Sequence, residues 1–301
     1  MAAVRQGDLH GPEASGIFLI EKGQISKAAQ SLHISQPPLS MRLKELEDEL
    51  GVTLIHRQGK AWQVTPEGRM LYRKAQFILS YMEGVKNDIA SIAGELHGRI
   101  KFGVCPPCRQ MAAHVISDLG KSHPRLQFRV WVMDNQSLER HLQESHLDFA
   151  LVLLPVKGRN YAIRSLQAKP YYAVFGKGMP QPKADIIGVE DLAGLPLIVQ
   201  HRRDSAGINA VLMKAFQRQN RQAHVVLETQ DSSFLQALLL EGFPAVAILN
   251  EYELERLPLD QFPTARLDVA DLTLAPALIS LENAYTSLLA QKVMDCFAAR
   301  F

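Results

Sequence analysis

Two cysteines separated by two prolines are the first candidates for chemistry in this sequence. Cys105 and Cys108 form a C-x-x-C pattern, and such a pair before a helix is typical of thiol-redox sites because a helix N-terminus stabilises a thiolate. Vicinal cysteines also bind soft metal ions. However, the remaining cysteine, Cys296, is remote in sequence and no second pair completes a metal site. Redox or metal sensing is therefore an alternative to an ordinary ligand-binding loop.

Two adjacent arginines could bind an anion. Arg202 and Arg203 precede Ser205, and the Asp-Ser pair at 204–205 is typical of a helix start. A guanidinium beside a helix N-terminus favours a carboxylate. The other interpretation is that both arginines point to solvent. The same segment lacks the first glycine of a nucleophile elbow, so Ser205 is interpreted as a cap and not as a nucleophile.

Enzyme motifs are absent from the sequence. It contains no Walker loop, no G-x-G-x-x-G and no H-E-x-x-H, and its ten histidines show no ligand spacing. We therefore expect no catalytic residue, no metal and no cofactor, and predict that the protein is not an enzyme. An enzyme on a binding-protein-like fold is a further alternative, and turnover that does not depend on DNA would be its signature.

A helix-turn-helix near the N-terminus points to DNA recognition. Helices are predicted over about Glu13–Lys22 and Ile25–Leu32, and a third begins after Ser35, a natural N-cap, and stops at Gly51. The third helix has prolines in its first turn and leucines at 39, 43, 46 and 50 that are predicted to face inward. Nine basic and five acidic side chains lie between Lys22 and Lys74, and such a local excess suits phosphate contact.

The start of that third helix carries the residues predicted to meet DNA, because recognition helices contact base edges there. A glutamine such as Gln36 can pair with adenine. The alternative is that these side chains are ordinary exposed polar groups. Two short strands between Val52 and Val64 predict a hairpin wing with a basic tip. The predicted DNA-binding residues are Ser35, Gln36, Pro37, Ser40, Met41, Arg42, Lys44, Arg57 and Lys60.

A long helix follows from Thr65 to about Ala93. Its apolar residues recur at alternating spacings of four and three, which predicts a coiled-coil seam and a homodimer. The alternative is an amphipathic helix packed on its own domain. The Gly-Glu-Leu-His-Gly segment at 94–98 is then predicted to be a hinge. The seam residues are Leu71, Ala75, Ile78, Met82, Val85, Ile89 and Ile92.

From Arg99 onward, apolar runs alternate with helical segments, which predicts an α/β domain with largely parallel sheets. Strands are predicted at Ile100–Val104, Leu126–Val132, Phe149–Leu154, Tyr171–Phe175, Leu197–Gln200, His224–Glu228 and Ala245–Leu249, and helices at about Arg109–Ser122, Ala206–Asn220 and Ser232–Glu241.

The N-terminal segment resembles the signature of LysR-type transcription regulators. The resemblance runs through Ile25–Ser40 and continues at Leu43, Leu46-Glu47, Leu50-Gly51-Val52, Leu54, His56-Arg57 and Val64–Gly68. It covers about forty-five residues almost without gaps. Two positions depart from the family pattern, namely Ile55, where the family has Phe, and Met41, where it has a basic residue. The second departure leaves the base contacts open.

The resemblance implies a winged helix-turn-helix at 1–66, a coiled-coil linker helix and hinge at 67–97, and a two-lobed, periplasmic-binding-protein-like effector domain at 98–301. Lobe I would comprise about 98–168 plus 268–301, and lobe II about 169–267. Ligands in such folds bind between the lobes, at the carboxyl ends of strands and at helix N-termini. The predicted effector-binding residues are Pro106, Pro107, Cys108, Arg109, Asn135, Gln136, Ser137, Gln200, Arg202, Ser205 and Phe243.

The resemblance also implies the partners. These are double-stranded DNA, a second copy of the chain (as a dimer and then a dimer of dimers), a small-molecule effector, for which an anion is one option, and RNA polymerase. The sequence adds no membrane segment, since no apolar run approaches the roughly 20 residues that span a bilayer. No secretory signal is visible and three cysteines do not form a disulfide scaffold, so a cytoplasmic location is expected.

Overall fold

The computed structural model describes residues 35–58, 61–91, 96–201, 208–282 and 284–301 of the chain. These residues form two compact units, with the boundary between Lys86 and Asn87 and with residues 143–146 grouped with the first unit. The predicted helices at Glu13–Lys22 and Ile25–Leu32 lie outside the described residues.

The described chain as far as Ser91 contains two helices and a hairpin, and the second helix continues past the boundary at Lys86. Helix α1 spans Gln36–Leu50, strands β1 and β2 span Ile55–Gln58 and Ala61–Val64, and helix α2 spans Pro66–Ser91. The two strands are antiparallel. Ser35 is the N-cap of α1, with proline in the first turn, and Gly51 caps its C-terminus in the left-handed conformation at φ 67°. The predicted stop at Gly51 agrees with this geometry. Ser35 lies at the predicted N-cap position with extended backbone, but its side chain makes no capping hydrogen bond.

The inward face of α1 is shorter than predicted. Leu39, Leu43 and Leu46 are buried, but Leu50 is 45% exposed, which corrects its predicted inward position. The helix ends at Gly51 immediately afterwards. Leu54, on the returning chain, is buried to 1% exposure instead. The helical period thus overestimated the buried face by one turn, because the chain reverses before the last leucine reaches the core.

The join between the hairpin and α2 is held by side-chain hydrogen bonds. The Thr65 hydroxyl accepts from the Gly68 amide at 2.9 Å and donates to the Leu54 carbonyl at 3.0 Å. The Glu47 carboxylate accepts from the Leu54 amide at 2.7 Å. A Cβ at Gly68 would lie 2.3 Å from the Leu54 carbonyl oxygen, so only glycine fits there. These contacts fix the start of α2 at Pro66, where the Thr-Pro-Glu-Gly segment predicts it.

The second unit contains two mixed sheets. The first has the order β4-β3-β5-β14-β6, in which β3 is parallel to β4 and β5, whereas β14 is antiparallel to β5 and β6. Its core includes Phe102 and Phe149, whose rings stack at 4.9 Å. The strands of this sheet are β3 (Gly98–Val104), β4 (Leu126–Val132), β5 (Phe149–Leu153), β6 (Tyr161–Ser165) and β14 (Pro276–Leu281).

The second sheet has the order β10-β9-β11-β7-β12-β8, and β13 also pairs with β7. Strand β9 is parallel to β10 and β11, and β7 is antiparallel to β11 and β12. Its strands are β7 (Lys169–Phe175), β8 (Ile186–Ile187), β9 (Pro196–Gln200), β10 (His224–Thr229), β11 (Val246–Asn250), β12 (Thr264–Leu267) and β13 (Thr273–Leu274).

Helices lie between these strands. They are α3 (Arg109–Ser122), α4 (Asn135–Gln143), α5 (Val189–Leu192), α6 (Ile208–Arg218), α7 (Ser232–Leu240), α8 (Glu251–Leu254) and α9 (Leu288–Arg300). Among the helices of the described residues, none has both the length and the hydrophobicity needed to cross a bilayer. The α/β class is confirmed, whereas the expectation of largely parallel sheets is corrected to mixed sheets, because the strands that return from one sheet to the other run antiparallel.

Candidate DNA-reading face and ligand cleft

The start of α1 presents polar side chains on a buried leucine base. Gln36 and Lys44 are exposed and Ser40 is half-buried, while Leu39 and Leu43 are at most 1% exposed. Met41 lies on the same outward side and is 63% exposed. Ser35 and Pro37 are exposed and Arg42 is half-buried. Gln36, Ser40 and Lys44 follow one another at intervals of four residues, so the structure brings these three together along one face of α1. Arg42 lies on another side of the helix.

Of the two predicted wing residues, the described part of the hairpin contains one. Arg57 lies in β1, in register with Trp62 of β2. Lys60, the predicted tip residue, lies outside the described residues. The wing therefore stays a prediction at its tip, while the two strands that support it are present.

The predicted seam on α2 is substantially exposed. Ile78, Met82 and Ile89 are 56%, 52% and 66% exposed, and Leu71, Ala75 and Val85 are half-buried. Ile92 lies outside the described residues. A coiled-coil seam without its partner helix exposes apolar side chains at this spacing. The exposed face of α2 therefore supports pairing of two chains, which stays a prediction.

Within the second unit, the end of β3 faces the loops that follow β10 and β11. A 3-10 turn at Pro106–Cys108 leads into α3 at Arg109. The Arg109 guanidinium contacts the Asp231 carboxylate at 2.7 Å, and Asp231 immediately precedes α7. Strands of two different sheets thus place opposite charges against each other. We call the place where β3–α3 meets β10–α7 and β11–α8 the cleft region.

The Asp231 carboxylate accepts hydrogen bonds from other groups besides Arg109. Its Oδ1 accepts from the Ser233 amide at 3.0 Å and from the Ser233 hydroxyl at 2.7 Å, so it also caps α7. Partial burial tends to raise the pKa of Asp231, but the hydrogen bonds from Arg109 and Ser233 outweigh it and hold the pKa below the ordinary value. Asp231 is therefore ionised at neutral pH.

A buried carboxyl group lies behind this ion pair. Glu253 is 8% exposed, and its Oε2 accepts from the Asn250 amide at 2.9 Å. Burial raises the pKa of Glu253 to about 7, although hydrogen bonds from Ser232 and Asn250 act in the opposite direction. Its Oε1 finds no hydrogen-bond partner among the described residues, and neither does Nδ2 of Asn250. The end of β11 and the helix that follows it therefore contain a buried acceptor and a buried donor that make no hydrogen bond within the described residues.

The predicted ligand residues at the start of α4 differ in burial, and two others cannot be placed. Gln136 is exposed and Ser137 half-buried beside Asp134. Asn135 is buried, and its amide group bonds both the carbonyl and the amide of Leu153, so it fixes the start of α4 against the end of β5. Arg202 and Ser205 lie outside the described residues.

Two predicted residues on lobe II lie at opposite ends of its sheet. Gln200 ends β9 and donates to the Gln230 carbonyl at 3.1 Å, near Asp231. Phe243 precedes β11, which is parallel to β9, so it lies at the other end and packs against the core. The structure therefore brings Gln200 toward the cleft region and leaves Phe243 away from it. Ligands in such folds bind at the carboxyl ends of parallel strands, and Phe243 lies at the amino end of its strand.

The two neighbouring cysteines are both buried, and no disulfide joins them. Cys105 is 3% and Cys108 0% exposed, and the Cys108 amide donates to the Cys105 carbonyl at 2.9 Å. Burial limits attack by a dissolved oxidant. In the described part of the chain, no three His, Cys, Asp or Glu side chains are placed to hold a metal ion.

The sequence reasoning missed the acidic and amide side of the cleft. Asp231, Asn250 and Glu253 were not among the predicted residues, although Asp231 follows a predicted strand and precedes a predicted helix, the same context that selected Arg109. Asn250 likewise follows a predicted strand. Applying the carboxyl-end rule to every strand would have found both, whereas the burial of Glu253 has no sequence signal.

Comparisons with known proteins match both halves of the chain. The family model described as "LysR substrate binding domain" matches residues 93–301, and that described as "Bacterial regulatory helix-turn-helix protein, lysR family" matches residues 17–69. The HTH-type transcriptional regulator BsdA of Bacillus subtilis (strain 168) is 27% identical over 282 residues, which are 93% of this chain and 97% of that protein. The DNA-binding transcriptional dual regulator OxyR of Escherichia coli (strain K12) is 28% identical over 185 residues, 61% of this chain and 60% of that protein.

Solved structures show the same fold. A full-length OxyR variant from Pseudomonas aeruginosa superposes with a TM-score of 0.70 at 20% identity, covering 96% of this chain and 92% of that one. Full-length CbnR, solved in complex with its target DNA, superposes with a TM-score of 0.67 at 16% identity, covering 96% and 98%. Two-domain chains of this fold therefore include one that binds DNA.

Proposed function

The chain belongs to the LysR family of DNA-binding transcription regulators, and from that premise we propose how this member binds DNA and what controls it. Two copies pair along the apolar face of α2, and each copy inserts the start of α1 into the major groove of one half-site. A small molecule bound in the cleft region shifts the population of lobe arrangements and thereby the DNA-binding state. RNA polymerase is the proposed downstream partner, in the cytoplasm.

One observation carries the DNA-binding part of the proposal. The polar side chains of Gln36, Ser40 and Lys44 project from a helix whose opposite side is anchored by buried leucines. A rigid helix with a free polar face is suited to the major groove, because base edges there offer donors and acceptors in a pattern unique to each base pair.

Selection of genomic DNA tests this part. The full-length protein is incubated with random genomic fragments at fixed salt in the presence of competitor DNA, and bound fragments are sequenced. Recovery of a few sites, each with two half-sites one or more helical turns apart, is expected. Uniform weak binding that disappears at modest salt would leave only phosphate attraction and would contradict sequence reading by α1.

Two matched substitutions in α1 separate base reading from charge. Gln36→Ala is expected to weaken binding to the selected site by about 1–3 kcal/mol and to relax the preference at one base pair. Lys44→Ala is expected to weaken binding to all sequences alike and to reduce the salt slope. If both variants lose the same affinity on selected and random DNA, Gln36 does not read a base.

A thiol-redox trigger at Cys105 and Cys108 is the second candidate. It is favoured by their separation of two residues at the end of β3 and disfavoured by their burial. Under this alternative, DNA binding changes with peroxide or a chelator, and Cys105→Ser abolishes the response. An unchanged response to peroxide in Cys105→Ser, or none in the wild type, would leave the small-molecule trigger.

A further inference from the structure

The Arg109–Asp231 pair joins elements that are far apart in the chain. Arg109 begins α3 after strand β3 of the first sheet, and Asp231 ends the loop between β10 and α7 of the second sheet. Two more polar contacts link α3 to the loop after α8, namely Arg256 donating to Gln110 at 2.9 Å and His114 meeting Glu255 at 3.1 Å. The Arg109–Asp231 contact differs from these because it holds full opposite charges at the start of a 14-residue helix.

The geometry of the pair allows an outside anion to compete for it. The Arg109 and Asp231 side chains are 36% and 53% exposed, so a dissolved ion can reach both. Among the described contacts, Asp231 meets Arg109 through one N–O pair at 2.7 Å. Arginine binds a free carboxylate best through two parallel hydrogen bonds, so a ligand can offer Arg109 more than Asp231 does.

Release of Asp231 would cost little. The oxygen that contacts Arg109 also accepts from the amide and the hydroxyl of Ser233, and both of these bonds are independent of Arg109. An ionised carboxylate at a helix N-terminus is also stabilised by the helix dipole. Asp231 therefore keeps partners on its own lobe when Arg109 turns to another anion.

We infer that Asp231 is an internal competitor for Arg109 and that the effector is a small carboxylate that displaces it. Displacement separates two elements that the ion pair holds together, which gives the ligand different contacts in the two lobe arrangements, as population shift requires. The inference rests on the proposed function and adds the ligand class and the group that the ligand must displace. A tethered carboxylate acts at a millimolar effective concentration, so it raises the ligand concentration needed for binding.

Asp231→Ser isolates the competition. Serine is as good an N-cap as aspartate, so α7 keeps its cap, but the side chain is uncharged and too short to reach Arg109. Thermal unfolding of the full-length chain is measured against acetate, the smallest carboxylate with a methyl group, with chloride holding the ionic strength constant and acetamide as the neutral isostere. The half-saturating acetate concentration is expected to be at least about tenfold lower in Asp231→Ser than in the wild type. Acetamide is expected to have no effect.

Two further variants control the result. Gln110→Ala removes another contact between the same parts without freeing Arg109, and is expected to match the wild type. Adding Arg109→Gln to Asp231→Ser is expected to abolish the gain. Asp231→Asn, which keeps an acceptor for Ser233, replaces Asp231→Ser if the latter does not fold. Equal or weaker acetate binding in the Asp231 variant, or an equal effect of acetamide, overturns the inference.

The DNA-selection experiment on the same wild-type preparation distinguishes failure of the proposed function from failure of this inference. If the wild type recovers specific sites and the Asp231 variant gains no acetate affinity, only the internal competitor is refuted. If the wild type recovers none, the proposed function fails whatever acetate does.

Discussion

Gly68 shows how one residue type can fix the junction between two elements. A Cβ at this position would lie 2.3 Å from the Leu54 carbonyl oxygen, which itself accepts from the Thr65 hydroxyl. Backbone cannot move away from such a contact without breaking the cap of α2. Glycine is therefore required here by space and not by backbone conformation.

Gly68→Ala is expected to destabilise the protein by about 2–4 kcal/mol, as overpacking of a tight site does. Chemical unfolding followed by circular dichroism measures this loss. Gly51→Ala is the comparison, because Gly51 has φ 67° and nothing within 4 Å of the added Cβ, so only about 1 kcal/mol of backbone strain is expected. Equal losses in the two variants would contradict a steric role for Gly68.

Glu253 makes stability depend on pH. Burial raises its pKa from 4.5 to about 7, so the folded protein binds this proton more tightly than the unfolded chain does. The stability contribution is present at acidic pH and declines as the pH rises from about 4.5 to about 7. Glu253→Gln mimics the protonated form, and is expected to exceed the wild type by up to about 3 kcal/mol at pH 8 and to match it near pH 4.5.

Unfolding free energies of the wild type and Glu253→Gln across this range check the prediction. Glu241→Gln, which changes an exposed carboxyl group, serves as the control. A constant difference between Glu253→Gln and the wild type from pH 4.5 to pH 8 would mean that Glu253 does not titrate in this window.

At the scale of elements, the apolar face of α2 is the clearest candidate for self-association. Met82→Glu places a charge in the middle of the exposed seam, at a residue that is 52% exposed. A buried unpaired charge disfavours pairing, so sedimentation is expected to show dissociation at concentrations where the wild type is dimeric. Arg73→Glu, which changes an exposed charged residue on the side of the same helix away from the seam, is expected to sediment as the wild type does.

The elements that could be predicted are those with a local signal. Helix α3 and strand β4 have the predicted bounds because a continuous periodic pattern marks each of them. Strand β14 and helix α9 were not predicted, since β14 finds its partners β5 and β6 more than a hundred residues earlier in the chain. Leu50 was misplaced for a related reason, because helical period does not reveal where the chain turns away from the core.

The candidate cleft was predictable only on one side. Arg109 follows a strand and starts a helix, so the sequence selects it, but its partner Asp231 lies 122 residues away. No local pattern links the two. The sequence therefore indicates where strands end, whereas the structure determines which ends face each other and which charges meet.

At the scale of the whole molecule, pairing and DNA reading should depend on each other. A dimer that reads two half-sites needs them on one side of the duplex, so spacing matters to a dimer and not to a monomer. On a site recovered by DNA selection, inserting about 5 base pairs between half-sites moves one half-site to the opposite side of the helix, and is expected to weaken wild-type binding at least tenfold. Inserting about 10 base pairs, one full turn, is expected to restore part of it.

Met82→Glu should remove this dependence. If the seam on α2 links the two reading helices, the variant binds each half-site independently, and its affinity is the same for the native site and for both insertions. The loss measured for the wild type on the 5-base-pair insertion should then equal the loss that Met82→Glu causes on the native site, because both remove the linkage and leave the contacts of one half-site intact. Spacing dependence that persists in Met82→Glu would show that surfaces other than α2 hold the two copies together on DNA.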